Sequence, residues 1–399
     1  MLRSVLLLPV ALAALTAASQ RPPPPPPTAR DAPFLPETTS GELLHLHRKL
    51  VGLESVTGDE QHIGLWLAAY LRDRNFTVEL HETAPRRYNV LAYGEKRETS
   101  ILVSSHIDTV PPYWPYFYNE TSGIIGGRGS VDAKASVAAQ IVAVEGLRAH
   151  LYDEISLLFV VGEETGGDGM RHFSNWNERP PYDIVIFGEP TEGKLVCGHK
   201  GILGFTLSIT GKAAHSGYPW LGVSANDVLV EALAKLLELR EQLPWSEKYG
   251  NTTMNFGRIV GGVASNVVAE TASAEITVRL AAGTPGLVQS MVIDALKDVK
   301  TTVEALGGDL DVRRGSEGYP PVNINCDIEG FEKMTVNYGT DVPNLKGNHK
   351  RYLYGPGSIF VAHSDHEALK REELEHAVLD YRKIIIAASK MDHQDQDEL

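Results

Sequence analysis

Histidine and carboxylate side chains follow short apolar runs at four places in this sequence. They are His106 and Asp108 after 101–103, Glu163 and Glu164 after 155–161, Glu189 after 183–187, and His363 and Glu367 after 359–362. Each run is typical of a buried strand, and active groups of α/β sheets lie at the carboxyl ends of the strands. Imidazole nitrogen and carboxylate oxygen bind zinc at about 2.0–2.2 Å. Two imidazoles and three carboxylates therefore suit a centre of two zinc ions.

His106 and Asp108 stand two positions apart at the end of the first of these runs. Side chains of a strand alternate between its two faces, so this spacing points both residues to the same side. A carboxylate behind a metal-binding imidazole fixes the tautomer of the ring. The pair is therefore typical of a metal ligand with its supporting acid.

Asp132 follows the glycine-rich turn 126–129 and opens the helical run 133–150. An Asp in that position can cap the helix, and it can equally bridge two metal ions about 3.5–4 Å apart that activate a shared water. The adjacent Glu163 and Glu164 have diverging side chains, so that one can bind metal while the other holds the proton of the water. Two neighbouring acids are also common for purely structural reasons.

The elements that position these residues form two patterns. The first alternates helices with apolar strands: helices at 40–53, 59–75, 133–150 and 370–390, and strands at 88–93, 101–105, 155–161 and 183–187. It indicates an α/β domain whose mostly parallel sheet has helices on both faces. The second has strands at 205–210, 254–260 and 272–280 and helices at 224–243 and 286–306. It indicates two helices over an antiparallel sheet, and hence a separate inserted α+β domain.

The length of 399 residues suggests two or three domains, and 43% apolar residues are enough for a core. The predicted segments are a signal peptide 1–19, a proline-rich linker 20–36, a catalytic domain 37–199 and 312–392, a lid or dimerisation domain 200–311, and a tail 393–399. A net charge of −14 without a basic patch argues against a nucleic-acid partner. Beyond the N-terminus no stretch is apolar enough to span a membrane.

The N-terminus has a basic start, an apolar run at 5–15 and small residues at 16–19, which predicts a secreted, extracellular protein. A membrane-anchored start is the alternative. Sequons at Asn75, Asn119 and Asn251 fit glycosylation of a secreted protein, although chance supplies one or two in such a length. Cys197 and Cys326 are the two cysteines of the sequence, and they can pair in an oxidising compartment or remain two buried thiols.

As a set, the motifs resemble the dizinc exopeptidase and deacylase family, which includes aminoacylase, glutamate carboxypeptidase, acetylornithine deacetylase and succinyl-diaminopimelate desuccinylase. Within it the sequence resembles secreted fungal proteins called probable carboxypeptidases. The matching segments occur in family order and cover most of the chain beyond the proline run. They are Ser-His106-Ile-Asp108-Thr-Val-Pro, Gly-Arg-Gly-Ser-Val-Asp132-Ala-Lys-Ala, Gly-Glu163-Glu164, Gly-Glu189-Pro-Thr, and Gly355-Pro-Gly-Ser through His363 to Glu367.

The resemblance implies a role for each matching residue. His106 and Glu189 are expected to bind one zinc, Glu164 and His363 the other, and Asp132 to bridge the two. Asp108 is expected behind His106, and Glu163 as the general base that takes a proton from the bridging water and returns it to the leaving amine. A cis peptide is expected between Asp132 and Ala133. Other divalent metals could replace the two zinc ions of each subunit.

Three residues of the inserted domain match the family as well. His215, in Gly-Lys-Ala-Ala-His-Ser-Gly, is expected to bind the substrate carbonyl, often from the partner subunit of a homodimer formed through the lid. Asn266 and Arg279 fall where relatives hold the carboxylate of the substrate, which the planar fork of Arg can bind through two hydrogen bonds. Without such a function, His215 would be an ordinary histidine in a turn and Arg279 an arginine on a solvated face of the sheet.

The predicted function is hydrolysis of an amide bond next to a free C-terminal carboxylate, that is, a secreted zinc carboxypeptidase acting on peptides. The alternative is an amidohydrolase that removes the acyl group from N-acyl amino acids. A metal-free secreted binding protein on the same fold is expected to lack a ligand or Glu163, and none is missing. Gly-x-Ser-x-Gly and phosphate-loop motifs are absent from the sequence. One departure is His366, where many relatives have an acid; it suits a surface position or an extra ligand.

Overall fold

The computed structural model describes residues 35–315 and 317–397 of the chain. The predicted signal peptide 1–19 and residues 20–34 of the predicted linker lie outside the described residues. The helices are α1 Glu37–Gly52, α2 Gln61–Asp73, α3 Lys134–Leu151, α4 Asp168–Asn175, α5 Ala225–Arg240, α6 Pro285–Ala305 and α7 Arg371–Asp397. Helix α7 thus continues into the predicted tail.

The strands up to the inserted domain are β1 Thr77–Ala84, β2 Arg87–Tyr93, β3 Ile101–His106, β4 Phe117–Asn119, β5 Ile124–Gly126, β6 Ile155–Val160, β7 Ile184–Gly188 and β8 Leu195–His199. The later strands are β9 Gly201–Thr210, β10 Trp245–Ser246, β11 Gly250–Asn251, β12 Thr253–Gly261, β13 Thr271–Leu280, β14 Asp309–Arg314, β15 Val322–Asn323, β16 Lys333–Val336, β17 Lys350–Tyr354 and β18 Ala368–Lys370.

The main sheet has the order β1-β2-β6-β3-β7-β17. Strands β6, β3, β7 and β17 are parallel, whereas β1 and β2 add an antiparallel edge. Alternate residues of β3 enter different cores: Val103 lies in the cluster built on α1, α2, α3 and α7, and Leu102 in the cluster that contains Phe173 of α4. Helices therefore cover both faces, which explains why β3 is apolar throughout, as predicted.

The inserted domain has its own antiparallel sheet, in the order β12-β13-β9-β14, and its own core with α5 and α6. Helix α5 begins where the Ser224 hydroxyl accepts a hydrogen bond from the Asp227 amide at 3.3 Å, and α6 where Thr284 does the same for Leu287 at 3.2 Å. Both are ordinary helix caps. The predicted two helices over an antiparallel sheet are confirmed, and β14 extends this sheet to Arg314.

The prediction of a strand at 359–362 is wrong. These residues form turns, and the strand that leads towards His363 is β17, which ends at Tyr354. The apolar character of the run does not reflect burial, because Phe360 is 81% exposed. Strand β1 and the short helix α4 were not predicted, because β1 carries Glu and His among its apolar residues and α4 is only 8 residues long.

A disulfide joins Cys197 in β8 to Cys326, which follows β15. The two cysteines are 129 positions apart, and the whole inserted domain lies between them. Of the two alternatives left open by the sequence, the structure therefore contains the pair and no free thiol. The peptide between Asp132 and Ala133 is cis, as the resemblance implies.

Candidate metal centre

The parallel strands bring the acidic and histidine residues to one edge of the main sheet. His106 is the last residue of β3, and Glu189 directly follows β7, its neighbour in the sheet. Strand β6 lies on the other side of β3, and after it Gly162 turns the chain in the left-handed region, with φ of 74°, into Glu163 and Glu164. Such a φ favours glycine. Adjacent strand ends therefore position all four side chains.

Asp132 lies between two pairs that each contain an imidazole and a carboxylate. One carboxylate oxygen, Oδ1, is 3.1 Å from Nε2 of His106, and the other, Oδ2, is 3.2 Å from Nε2 of His363. His106 Nε2 is also 3.8 Å from Glu189 Oε2, and His363 Nε2 is 2.9 Å from Glu164 Oε2. Each oxygen of Asp132 thus faces a different imidazole, which is the arrangement that a bridging carboxylate requires.

The donor set fits divalent metal ions. Ligand atoms of His106, Glu163 and Glu189, and likewise of His106, Asp132 and Glu164, lie within 4.8 Å of one another. The Oε1 atom of Glu164 is buried and has no hydrogen-bond partner among the described residues. A buried carboxylate oxygen without a partner costs free energy, and a bound cation removes that cost. Nitrogen and oxygen donors in this number are those that zinc accepts.

The site is short of positive charge when its side chains are taken alone. Burial, and then the charge of Glu189, raise the pKa of Glu163 well above its usual range, and burial raises the pKa of Glu189 to about 7. Hydrogen bonds to Asp132 and Glu164 raise the pKa of His363 to about 10. Carboxylates this crowded resist ionisation, and a bound divalent cation supplies the missing charge.

Asp108 holds two parts of the site in place. Nδ1 of His106 is 3.0 Å from the carbonyl oxygen of Asp108 and 3.5 Å from its carboxylate, so the backbone makes the closer contact with the ring. The carboxylate accepts hydrogen bonds from the amides of Glu163 at 3.2 Å and Glu164 at 3.3 Å, and from the Thr57 hydroxyl at 2.7 Å. Asp108 therefore orients the turn that carries both glutamates as well as the imidazole.

Glu367 is a site residue to which the sequence assigned no role. Its Oε1 accepts hydrogen bonds from the amides of Val131 at 3.0 Å and Asp132 at 3.1 Å, and its Oε2 from the Arg128 guanidinium at 2.8 Å. The side chain is almost fully buried. Glu367 therefore ties the segment that ends in Asp132 to the segment that contains His363. The signal in the sequence was a charged pair, Arg128 and Glu367, within the two matching motifs.

His366 does not take part in the centre. Its side chain is 71% exposed, and its Nδ1 lies 2.9 Å from a carboxylate oxygen of Asp365. This is the surface position that the sequence allowed.

The three residues predicted on the inserted domain lie at opposite ends of its sheet. His215 and Asn266 are adjacent near the surface: the His215 segment pairs with Val267, and the Ser216 amide donates to the Asn266 carbonyl at 3.1 Å. Both lie beyond the end at which Thr271 pairs with Thr210, whereas Arg279 pairs with Ile202 at the other end. At about 3.4 Å per residue, the eight positions from 271 to 279 span roughly 27 Å. One chain therefore does not bring His215 and Arg279 to one small substrate.

Two family models match the chain. The model described as "Peptidase family M28" matches residues 89–188, which carry His106, Asp132, Glu163 and Glu164. The model described as "Peptidase dimerisation domain" matches residues 197–303, which include the inserted sheet from β9 to β13.

Solved structures share the fold. A tripeptidase from Staphylococcus aureus superposes with a TM-score of 0.70 at 23% identity, over 87% of this chain and 98% of its own. An M20 family metallo-carboxypeptidase from Sulfolobus solfataricus superposes with a TM-score of 0.66 at 18% identity, over 86% of this chain and 98% of its own. At these identities the likeness shows the fold.

Sequence relatives are much closer. A probable carboxypeptidase of Aspergillus flavus is 48% identical over 376 residues, which cover 86% of this chain and 87% of the relative. Such identity over nearly the whole of both chains accompanies the two peptidase models and the candidate metal-binding residues. The chain is therefore a metallopeptidase and belongs to the zinc exopeptidase family.

Proposed function

We propose that this metallopeptidase is a secreted zinc carboxypeptidase, which hydrolyses the amide bond next to a free C-terminal carboxylate. The observation that carries the proposal is Asp132, whose two oxygens face His106 at 3.1 Å and His363 at 3.2 Å, with Glu163 close by. The probable carboxypeptidases that resemble the chain support the same reaction.

The residues that would hold two zinc ions form two sets that share Asp132. His106 and Glu189 belong to one set, and His363 and Glu164 to the other. When bound, the two ions supply Lewis-acid activation of water and stabilisation of negative charge on the substrate carbonyl oxygen.

Glu163 moves the proton in this reaction. Its backbone amide is held by Asp108 at 3.2 Å, so the turn places the carboxylate beside His106 and Glu189. Burial raises its pKa, so the carboxylate is a stronger base than an exposed Glu. Glu163 takes a proton from the attacking water and then donates it to the leaving amine. Arg279 is half-buried at the end of the inserted sheet where it pairs with Ile202, and it binds the terminal carboxylate.

His215 acts from a second subunit in this proposal. It lies at the end of the inserted sheet opposite Arg279, too far away to contact a substrate that Arg279 of the same chain binds. Strand β12 is an edge of that sheet and exposes Ile259 and Val260, at 56% and 48%, with Val263 just beyond it at 88%. An exposed apolar edge suits pairing with another copy. We therefore expect a homodimer through this domain, with His215 and Asn266 facing the substrate of the partner.

Two features support secretion. Disulfides such as Cys197–Cys326 persist in oxidising compartments. The sequon residues Asn75, Asn119 and Asn251 are all exposed and thus accessible to glycosylation. Among the helices that the structure describes, none has the length and apolar character needed to cross a membrane.

The test is a comparison of substrates on purified protein of known zinc content. We expect release of the C-terminal residue from N-blocked dipeptides, and little cleavage of the same dipeptides with a C-terminal amide. Faster release of acetate from N-acetyl amino acids would instead establish the amidohydrolase. Preference for unblocked tripeptides over N-blocked dipeptides would show that the enzyme recognises the amino terminus, and would overturn the proposal.

A further inference from the structure

Tyr319 stands beside Arg279 in the register of the inserted sheet. Arg279 pairs with Ile202 of β9, and Ile202 forms an antiparallel bridge on its other side with Tyr319. Both backbone hydrogen bonds of that bridge are present, at 3.0 and 3.1 Å. Directly paired residues on antiparallel strands project to the same face. Arg279 and Tyr319 therefore flank Ile202 on one face of the sheet.

The polar ends of these two side chains converge on Gly339. A Cβ placed on Gly339 would lie 2.0 Å from Oη of Tyr319 and 3.3 Å from Nη1 of Arg279. The two polar atoms are therefore at most 5.3 Å apart, the sum of those distances. Any larger residue at 339 would displace the phenol, so the glycine keeps this space open for both groups.

Both groups have donors that no protein acceptor uses. In the described part of the chain, no carboxylate lies within ion-pair distance of the Arg279 guanidinium, and it donates no hydrogen bond. Among those residues, none accepts a hydrogen bond from the Tyr319 hydroxyl. Burial, and then the charge of Glu163, raise the pKa of Tyr319, so the phenol stays protonated. Two adjacent unused donors favour an anionic ligand.

The ring of Tyr319 is held from behind by His199. The two rings make an edge contact with centroids 5.8 Å apart. His199 is buried and fixed at both nitrogens, since Nδ1 donates to the Lys200 carbonyl at 2.8 Å and Nε2 accepts from the Thr340 hydroxyl at 3.1 Å. The phenol is therefore positioned before any ligand arrives, which lowers the entropic cost of binding.

We propose that Tyr319 is a substrate-binding residue whose phenol donates a hydrogen bond to the same carboxylate that Arg279 binds. The carboxylate receptor then lies within one chain, at the junction of the inserted and catalytic domains, whereas His215 comes from the partner. This inference rests on the proposed function, because the ligand is the free carboxylate of the substrate.

The test compares Tyr319→Phe with the parent enzyme on benzyloxycarbonyl-glycyl-phenylalanine and on its C-terminal amide. A hydrogen bond to a charged group is worth about a 10- to 100-fold change in affinity. We expect kcat/KM for the free acid to fall by that factor, mainly through KM, and kcat/KM for the amide to stay unchanged. Combined with Arg279→Lys, the losses are expected to be less than additive. Zinc content and the unfolding midpoint confirm that each variant is folded.

Tyr249→Phe is the matched control, because Tyr249 also donates from the inserted domain, to the Val322 carbonyl at 2.9 Å, but contributes nothing to the receptor. It is expected to keep the preference for the free acid. Suppose that the parent enzyme prefers the acid. If Tyr319→Phe leaves that preference unchanged, or lowers kcat/KM for the acid and the amide by the same factor, the inference is wrong and the proposed function stands. If the parent enzyme itself has no preference for the acid, the proposed function fails.

Discussion

Replacing Glu367 with Gln tests whether a residue that touches no metal ligand side chain controls the metal centre. The Glu367 carboxylate is buried against the Arg128 guanidinium at 2.8 Å and accepts the amides of Val131 and Asp132 at 3.0 and 3.1 Å. A neutral amide leaves the charge of Arg128, itself 2% exposed, without compensation. Breaking a buried ion pair on one side costs about 3–5 kcal/mol. We therefore expect the free energy of unfolding to fall by about that amount.

The zinc affinity is expected to fall as well. Gln has one acceptor oxygen, so either Arg128 or the amides of Val131 and Asp132 must face its NH2 group. The backbone of Asp132 is then held less firmly, and weaker support of a metal ligand lowers metal affinity by up to about 10- to 100-fold. The assays are denaturant unfolding and zinc titration of metal-depleted protein. Glu373→Gln is the control, since Glu373 is exposed in the same segment and, among the described residues, accepts a hydrogen bond only from the Lys370 amide. A Glu367→Gln protein with the unfolding midpoint and zinc affinity of this control would refute the reasoning.

A double variant separates the two effects. In Arg128→Met/Glu367→Met the guanidinium is removed together with its partner, so much of the stability is expected to return. Buried Lys134, whose pKa burial lowers and the charge of Glu367 raises, loses that charge in both variants. The Met side chain offers the amides of Val131 and Asp132 no acceptor, so zinc affinity is expected to be low. Full recovery of both quantities would show that Glu367 acts only through the ion pair.

Three further predictions concern the base, the buried histidine and the disulfide. Glu163→Gln is expected to keep its zinc and lose at least about 100-fold in kcat, whereas Asp132→Ala is expected to lose both zinc and activity. Zinc analysis and the dipeptide assay measure these two effects. Near-normal turnover of Glu163→Gln would refute the role of Glu163 as the base. Burial lowers the pKa of His199 to about 4, so the unfolded chain takes up a proton first as pH falls below about 6.5. His199 is expected to contribute about 2 kcal/mol to the loss of stability from pH 7.5 to 5, in addition to His47 and His349, whose pKa burial also lowers to about 4. A His199→Gln protein whose loss is undiminished contradicts this. Reduction of Cys197–Cys326, which closes a loop over 129 positions, is expected to lower the free energy of unfolding by up to about 5 kcal/mol; equal denaturation midpoints with and without reductant would contradict it.

The residues at the strand ends could be predicted because two local rules determine them. An apolar run between helices is a buried parallel strand, and the residues directly after such a strand lie at the carboxyl edge of the sheet. His106, Glu163, Glu164 and Glu189 obey both rules, and the structure brings them together. His363 meets the same centre although its preceding run is a turn. The motif predicted His363 at this centre, whereas the strand predicted before it is absent.

Glu367 and Tyr319 show what a single sequence does not contain. Each is an ordinary residue type whose role depends on partners far along the chain, 235 positions away for the contact between Glu367 and the Asp132 amide. Hydrophobic periodicity shows which face of a helix or strand is buried, but it does not show which distant residue packs against that face. The separation of His215 from Arg279 was hidden for the same reason, because it depends on the register between β9 and β13.

The bridge between Cys197 and Cys326 makes the inserted domain part of a covalent ring. A proteolytic cut in any exposed loop between those two residues opens the ring without releasing a fragment. The segment with His106, Asp132, Glu163, Glu164 and Glu189 stays joined to the segment with His363. A nicked enzyme therefore runs as one band on a gel until it is reduced, and then separates into two.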